Sequence, residues 1–215
     1  MSDLLLRRRL MMVGGSPTPP VPYQKVEYLI GNGNGACLDT GIVPNSDYTI
    51  KCKFMLLGTL GRNTHIVLGS GASFSSQNIE LYNGYVYVDR FNLGYNSYTE
   101  QGTANVNEWY TIVFNKNDVT VYNADNSVNV HYVFAASSFN CPYTMYLFAL
   151  HRASVVRTGG LVGIQTFQLI DGNNTIVADY TAIRDNGVGY MYDSVTQSLI
   201  GSATATPFPY GPDIN

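Results

Sequence analysis

The chain has 215 residues and a formal net charge of −3, and only 13% of its residues are charged. Binding to nucleic acid requires a cluster of Lys and Arg on the folded domain, whereas the run Arg7-Arg8-Arg9 lies close to the N-terminus. The composition therefore argues against a nucleic-acid partner, while 45% hydrophobic residues and 17 Tyr favour one large all-β core.

The first 22 residues are predicted to form an anchoring arm and a linker. The arm is apolar but too short to cross a membrane or to form the apolar part of a signal peptide, and the four prolines of residues 14–22 predict an extended linker. We expect the arm to bind in a groove of a partner protein, with its arginines meeting acidic groups at the rim. The alternative is an arm that folds back on its own domain or is disordered. The residues assigned to the arm are Leu4, Leu5, Leu6, Arg7, Arg8, Arg9, Leu10, Met11 and Met12.

Residues 23–215 are predicted to form one all-β domain. Short runs of β-branched and aromatic residues alternate with clusters of Gly, Asn, Asp and Ser, and no window of 12 residues shows helical periodicity. This pattern predicts a two-sheet antiparallel jelly-roll sandwich. The predicted strands are Gln24–Ile30, Ala36–Asp39, Tyr48–Leu56, Thr64–Gly69, Asn78–Tyr82, Tyr85–Arg90, Trp109–Asn115, Asp118–Asn123, Met145–His151, Gly163–Ile170 and Thr175–Ala182.

Two turns and one strand carry the clearest local patterns. The sequences Tyr82-Asn83-Gly84-Tyr85 and Ile170-Asp-Gly-Asn-Asn-Thr175 contain residues that tolerate positive φ, and both predict hairpins. The segment Val119–Asn123 alternates with period 2, so one of its sides should enter the core.

No metal or other cofactor is expected. Cys37, Cys52 and Cys141 are odd in number and widely spaced, which predicts buried free thiols and not a disulfide framework or a zinc site. Asp125 and Asp185 could bind calcium, but that ion needs six to eight oxygen ligands and no dense acidic loop is present, so roles in turns are favoured.

Enzymatic activity is not expected either. Glycoside hydrolysis needs two carboxylates about 5 Å apart in the retaining mechanism, and no paired arrangement of acids is visible. Glu108, next to Trp109, is interpreted as a solvated charge at a strand end. A serine nucleophile elbow and a phosphate-binding loop are both missing from the sequence. The isolated glutamates are Glu27, Glu80, Glu100 and Glu108, and the histidines predicted to lie in apolar strands are His65, His131 and His151.

Several segments at the two ends of the domain resemble a known family. They are similar to LamG-like, concanavalin A-type jelly-roll domains found in proteins of gut Bacteroidales and their phages. The matching segments are Tyr23-Gln-Lys-Val-Glu-Tyr-Leu-Ile30, Cys37-Leu-Asp-Thr-Gly-Ile42, Pro44, Tyr146-Leu-Phe-Ala149, Gly163-Ile-Gln-Thr-Phe-Gln-Leu169, Val177-Ala-Asp-Tyr180, Val188-Gly-Tyr-Met-Tyr-Asp193 and Gly201.

Structural roles are predicted for these segments. Val26–Leu29 should pair with a strand from the second half of the chain. Gly41 and Gly189 suit turns or a close approach of the backbone, and Asp39 and Asp193 should bind the amides of local turns. Aromatic positions on a sheet face are Tyr190, Tyr192 and Phe208.

The arm, the resemblance and the single display domain together resemble a phage virion component, either a head-decoration, a head-fibre or a tail-associated protein. This interpretation implies assembly in the host cytoplasm, location in the virion, binding to other virion proteins through the arm, and a homo-oligomer. The alternatives are a carbohydrate-binding adhesin that contacts a host-surface glycan, and a sandwich protein of the bacterial cell surface.

The segment Asp89–Tyr98 is the candidate for glycan binding. It interleaves three aromatic residues with polar ones, and Arg90, Tyr95 and Tyr98 are predicted to line the contact surface. The competing interpretation is a Tyr-rich sheet face packed against a neighbouring copy of the chain.

Overall fold

The computed structural model describes residues 23–33, 35–58, 64–72, 75–82, 89–95, 98–152 and 155–214. All regular secondary structure in these ranges is β-strand. No helix in the described part of the chain is long and apolar enough to cross a membrane. The strands in chain order are β1 Gln24–Lys25, β2 Leu29–Asn32, β3 Leu38–Asp39, β4 Thr49–Leu56, β5 Thr64–Ala72, β6 Ser75–Tyr82, β7 Asp89–Tyr95, β8 Tyr98–Ala104, β9 Trp109–Asn115, β10 Asp118–Asn123, β11 Val128–Val133, β12 Tyr146–Leu147, β13 Ala149–Arg152, β14 Val155–Thr158, β15 Leu161–Ile170, β16 Ile176–Asp185, β17 Val188–Asp193 and β18 Ser198–Ile200.

These strands form two sheets. The ten-stranded sheet has the order β11-β10-β9-β4-β15-β16-β17-β18, and β2 and β1 join it beside β15 and β16. The eight-stranded sheet has the order β14-β13-β5-β6-β7-β8, with β12 pairing both β5 and β3. The strand pairs of the described residues are antiparallel except β13 with β5, which is parallel. The predicted two-sheet antiparallel sandwich is confirmed.

The core lies between the inner faces of the two sheets. On β9 the side chains of Tyr110, Ile112 and Phe114 are buried and alternate with more exposed neighbours. On β10 only Val119 and Val121 are buried, which confirms the predicted alternation. Burying a side chain of this size contributes about 1.5–3 kcal/mol. The largest fully buried side chains are Tyr110, Tyr180, Phe54, Phe114, Phe148, Phe167, Phe208, Leu29, Leu38, Ile50 and Leu56.

The start and the end of the domain close the ten-stranded sheet together. β15 and β16 pair over only part of their length, from Thr166 with Thr181 onward. β2 occupies the remaining edge of β15, and β1 the remaining edge of β16. Residues after β18 then bridge to Val26, Leu29 and Gly189. The predicted pairing of Val26–Leu29 with the second half of the chain is confirmed.

The two predicted hairpins differ in outcome. The turn after Ile170 forms as predicted, because the Asp171 carboxylate accepts bonds from the amides of Asn173 and Thr175, at 2.8 and 2.9 Å. At the other predicted hairpin, the strands on either side of the connection pair through Tyr82 and Arg90, and β7 continues beyond Arg90 to Tyr95. Residues 83–88 of this connection lie outside the described residues.

Two aspartates have the predicted roles in turns. Asp39 Oδ1 accepts a bond of 2.9 Å from the amide of Gly41, whose φ is 69°. Asp193 is only 2% exposed, and its carboxylate accepts bonds from the amides of Asp179, Val195 and Thr196. A buried carboxylate costs little free energy when its oxygens are bonded in this way.

The three cysteines are buried and free, as predicted. Burial raises the pKa of Cys37 and of Cys52, with the nearby Asp39 carboxylate adding to the effect at Cys37. A raised pKa lowers the thiolate fraction, so both thiols are poor nucleophiles in the folded chain.

Substitution of Gly189 tests the closure of the sheet. A Cβ at this position would lie 2.8 Å from Leu29 Cδ2 and 2.8 Å from the carbonyl oxygen of Phe208. Gly189→Ala should therefore lower the free energy of unfolding by about 1–3 kcal/mol, measured by urea denaturation. Gly201→Ala is the control, because its Cβ would make only an ordinary contact of 3.4 Å with Tyr190. Equal stability of the two variants would contradict the tight packing at Gly189.

Candidate functional site

An open cleft of about 590 Å³ lies at one end of the sandwich. Its walls are two neighbouring connections, the one between β8 and β9 and the one between β10 and β11. The volume lies within the range of known small-molecule sites, about 300–1,000 Å³. The residues that line the cleft are Asn105, Asn107, Glu108, Trp109, Tyr110, Asn123, Ala124, Asp125 and Asn129.

The pairing of β9 with β10 brings the two connections together. Tyr110, next to the start of β9, lies opposite Asn123, the last residue of β10. Asn129 then links β10 and β11 to the second sheet, because its Nδ2 donates to Asn123 Oδ1 at 2.8 Å and to the carbonyl oxygen of Thr103 at 3.1 Å. The cleft therefore lies where the β8 edge of one sheet meets the β11 edge of the other.

The connection from β8 to β9 is held at its centre by backbone contacts. Val106 forms a bridge with Leu56, and the amide of Asn107 donates to the Leu56 carbonyl at 2.7 Å. Asn107 has a φ of 63°, which Asn tolerates better than most residues. Its exposed side-chain amide has no hydrogen-bond partner among the described residues, so it is available to a ligand.

The connection from β10 to β11 is a tight turn. The amide of Asn123 donates to the Ser127 carbonyl at 2.9 Å, and Asn126 adopts a φ of 64°. Asp125 Oδ1 accepts bonds from the amide and the hydroxyl of Ser127, at 2.9 and 2.6 Å. These bonds favour the ionised carboxylate, and they lower the pKa of Asp125.

Glu108 connects the wall of the cleft to the core. Its Oε2 accepts bonds of 3.1 Å from the Tyr110 hydroxyl and from Asn105 Nδ2. The Tyr110 hydroxyl in turn accepts a bond of 2.8 Å from the Asn105 amide, while the Tyr110 residue is only 1% exposed. The interpretation of Glu108 as a solvated strand-end charge was therefore incomplete, because its carboxylate also orients the two polar groups beside it.

Trp109 supplies the aromatic surface of the cleft. Its ring lies 5.9 Å from the ring of Tyr28, centroid to centroid, and Lys53 Nζ lies 5.1 Å from its centroid. Both distances are typical of favourable aromatic and cation–π contacts. Trp109 is half-buried, so part of it remains accessible.

The predicted glycan residues lie on two neighbouring strands. Arg90 pairs with Tyr82, Tyr95 pairs with Gln77, and Tyr98 pairs with Gly94 across the β7–β8 hairpin. Arg90 is about 16 Å from Tyr95 along β7. The side chains of all three lie outside what the structure describes, so this site stays a prediction, as does the arm of residues 1–12.

The candidate metal ligands and the histidines lie at separate places in the fold. Asp185 Oδ1 accepts a bond of 3.1 Å from Asn186 Nδ2. Among the described residues, no three or more His, Cys, Asp or Glu side chains lie close enough together to hold a metal ion. His131 lies in a strand, as predicted, but its side chain is 54% exposed on the edge strand β11, and its Nε2 lies 3.0 Å from Asp118 Oδ1. His151 packs against the rings of Tyr143 and Tyr146.

The sequence analysis did not predict a binding site at the cleft. The sequence feature that could have indicated it is the concentration of asparagine in two short segments, residues 105–109 and 123–129, the first of which also contains a Trp. Each segment reads as an ordinary turn, because Asn is common wherever positive φ is required. Only the pairing of β9 with β10 shows that the two turns face one cleft.

The fold and the cleft define a two-sheet β-sandwich with an asparagine-rich site at one end. A similar solved structure is that of a proposed carbohydrate-binding protein from Bacteroides ovatus, with a TM-score of 0.57 and 11% identity. The match covers 89% of this chain and 62% of that one, so this chain spans about three fifths of the length of that protein. At this identity the likeness shows a shared fold.

Two further structures have lower scores. Tailspike protein 2 of the Escherichia coli O157:H7 bacteriophage CAB120 matches with a TM-score of 0.47 and 10% identity, over 66% of this chain and 22% of that one. A heptameric SAP-like pentraxin from Limulus polyphemus matches with a TM-score of 0.47 and 13% identity, over 67% of this chain and 76% of that one. No family model and no curated protein matches the sequence.

Proposed function

We propose that this chain is a non-enzymatic attachment protein whose cleft binds a neutral carbohydrate. The observation that supports this function is the grouping of four asparagines, two carboxylates and one Trp around a single open cleft. Sugar hydroxyls both donate and accept hydrogen bonds, and Asn amides offer both capacities at each side chain. The carboxylates of Glu108 and Asp125 add strong acceptors, and the accessible part of Trp109 can pack against the apolar face of a sugar ring.

The cleft is preorganised for such a ligand. Asn123 and Asn129 are bonded to each other, and Asn105 is bonded to Glu108, so these side chains hold their positions before a ligand arrives. Fixing side chains in advance reduces the entropy lost on binding. Asn107 is the exception, since its amide has no partner among the described residues, and it is therefore the most informative position for a test.

Asn107→Gly should weaken glycan binding. Glycine keeps the positive φ of the turn and removes the side chain with its amide. The experiment applies the labelled full-length chain to a glycan array and then measures the strongest neutral ligand by calorimetry, where we expect a loss of about tenfold in affinity.

The matched control is Asn186→Gly. Asn186 is also an exposed asparagine with positive φ, at 48°, and it lies in the turn between β16 and β17. This variant should bind the same glycan as the unaltered chain. Binding that is insensitive to Asn107→Gly, or an array on which the unaltered chain binds no neutral glycan, would refute the assignment of the cleft.

Two carboxylates in one cleft also raise the question of glycoside hydrolysis. A hydrolase needs one carboxyl group that stays protonated to donate to the leaving oxygen. Hydrogen bonds from Ser127 lower the pKa of Asp125, which makes it a poor proton donor. Glu108 already accepts two hydrogen bonds at one oxygen, from the Tyr110 hydroxyl and the Asn105 side-chain amide. Both groups are better suited to accepting bonds from a bound sugar.

The chain should therefore release no reducing sugar from a panel of bacterial polysaccharides. Glu108→Gln and Glu80→Gln should leave this result unchanged, because neither residue acts in a hydrolytic step under the proposal. Release of reducing sugar by the unaltered chain that either substitution abolishes would show that the protein is an enzyme.

Display on a phage virion is the wider role that we propose for this binding domain. It is supported by the resemblance to domains of Bacteroidales phages and by the apolar and basic composition of the arm. Under this proposal residues 1–22 anchor and space the domain, and residues 23–215 present the cleft to a host surface. Display on a bacterial cell surface would use the same division of the chain.

Deletion of Met1–Met12 should separate anchoring from folding. Because the arm contributes the proposed anchor but no described part of the sandwich, the truncated chain should remain folded by circular dichroism and keep its glycan binding. It should be missing from purified particles of the phage or prophage that encodes it. Normal incorporation of the truncated chain would show that the sandwich itself makes the contact.

A further inference from the structure

The solvent-facing side of the ten-stranded sheet, here called the outer face, carries a largely polar surface. Its side chains alternate with those of the core along each strand. The registers place them in rows that cross the strands. In the two central rows Lys51 is exposed, and every other side chain is half-buried. The first row is Tyr122, Thr111, Lys53, Thr166, Thr181 and Tyr192, and the second is Thr120, Val113, Lys51, Gln168 and Asp179.

The centre of the outer face is positively charged. Lys51 and Lys53 are two positions apart on β4, so both point away from the core, and Lys51 is exposed. Neither lysine forms an ion pair with any described residue, and the recorded contact of Lys53 is with the Trp109 ring. The carboxylate of the second row, Asp179, is two strands from Lys51, about 10 Å away, and it accepts a bond of 2.7 Å from the Ser194 hydroxyl.

The dimensions suit a chain of several sugars. The first row crosses six strands, so its two terminal tyrosines stand about 24 Å apart. Threonine hydroxyls between them can donate and accept hydrogen bonds, and the two Tyr rings offer packing surfaces at the ends. The face is also adjacent to the cleft, since Trp109 lines the cleft and contacts Lys53.

We propose that the outer face is a second binding surface, specific for an acidic polysaccharide whose carboxylates or sulfates pair with Lys51 and Lys53. The cleft carries two carboxylates and suits neutral sugars, whereas the outer face carries two cations without anionic partners among the described residues. The chain's net charge of −3 repels polyanions in general. Binding of an acidic polysaccharide would therefore depend on the local positions of Lys51 and Lys53. Two lysines are too few to neutralise the phosphates of a nucleic acid.

The test is affinity electrophoresis of the full-length chain in native gels that contain polygalacturonate, alginate or chondroitin sulfate. At least one of these polymers should retard the unaltered chain, and added salt should weaken the effect because it screens exposed charges. Lys51→Gln and Lys53→Gln should each reduce the affinity about fivefold, and the double variant should reduce it further.

The matched control is Lys116→Gln, which removes the same charge from the turn between β9 and β10, away from the two rows. It should change the affinity less than twofold. Equal losses in all three single variants would show a net-charge effect and overturn the proposal, as would the absence of retardation by all three polymers. Stronger retardation by duplex DNA than by the polysaccharides would assign the surface to nucleic acid instead.

The two proposals can be refuted separately. Loss of neutral-glycan binding in Asn107→Gly with no change in Lys51→Gln or Lys53→Gln supports the cleft and refutes the second surface. Loss of acidic-polysaccharide binding in the lysine variants alone, with Asn107→Gly unchanged on neutral glycans, supports the second surface and refutes the cleft.

Discussion

The register between β4 and β15 determines which side chains form the core and which lie on the outer face. Cys52 pairs with Phe167 on the inside, while Lys51 pairs with Gln168 on the outside. Because side chains alternate along a strand, a slip of one residue would bury lysines and expose aromatic rings. The cost of burying an unpaired lysine fixes the register. The packing of the core and the polarity of the outer face are therefore two results of the same constraint.

The cleft depends on the same alternation in the next pair of strands. Tyr110 is an inner-face residue of β9, yet its hydroxyl reaches Glu108 and the amide of Asn105 at the end of the sheet. A buried hydroxyl must find a partner, and here the partners are the residues that shape the wall of the cleft. Removing the Tyr110 hydroxyl would thus loosen the wall through a residue that is almost inaccessible to a ligand.

Sequence patterns predicted the interior of this fold better than its edges. The central strands β4, β9, β10, β15 and β16 match predicted segments to within a few residues, because burial on one face imposes a period of 2. The predicted set contains none of the four edge strands β8, β11, β14 and β18. β14 illustrates the reason, since three of its four residues are exposed and its pattern has no buried side. In β11, apolar and polar residues alternate in the sequence from Val128 to Tyr132, so this strand could have been predicted.

The candidate sites could not be predicted because both depend on contacts between distant segments. Lys51 and Lys53 are unremarkable in sequence, and their significance comes from neighbours on β9 and β15 that supply no carboxylate. A chain with a net charge of −3 can still present a cationic surface, because fields from exposed charges fade over about 10 Å at 0.1 M salt. One sandwich can therefore hold two surfaces of opposite charge preference within a short distance, and an attachment protein with both would distinguish a glycan by the order of neutral and acidic sugars along it.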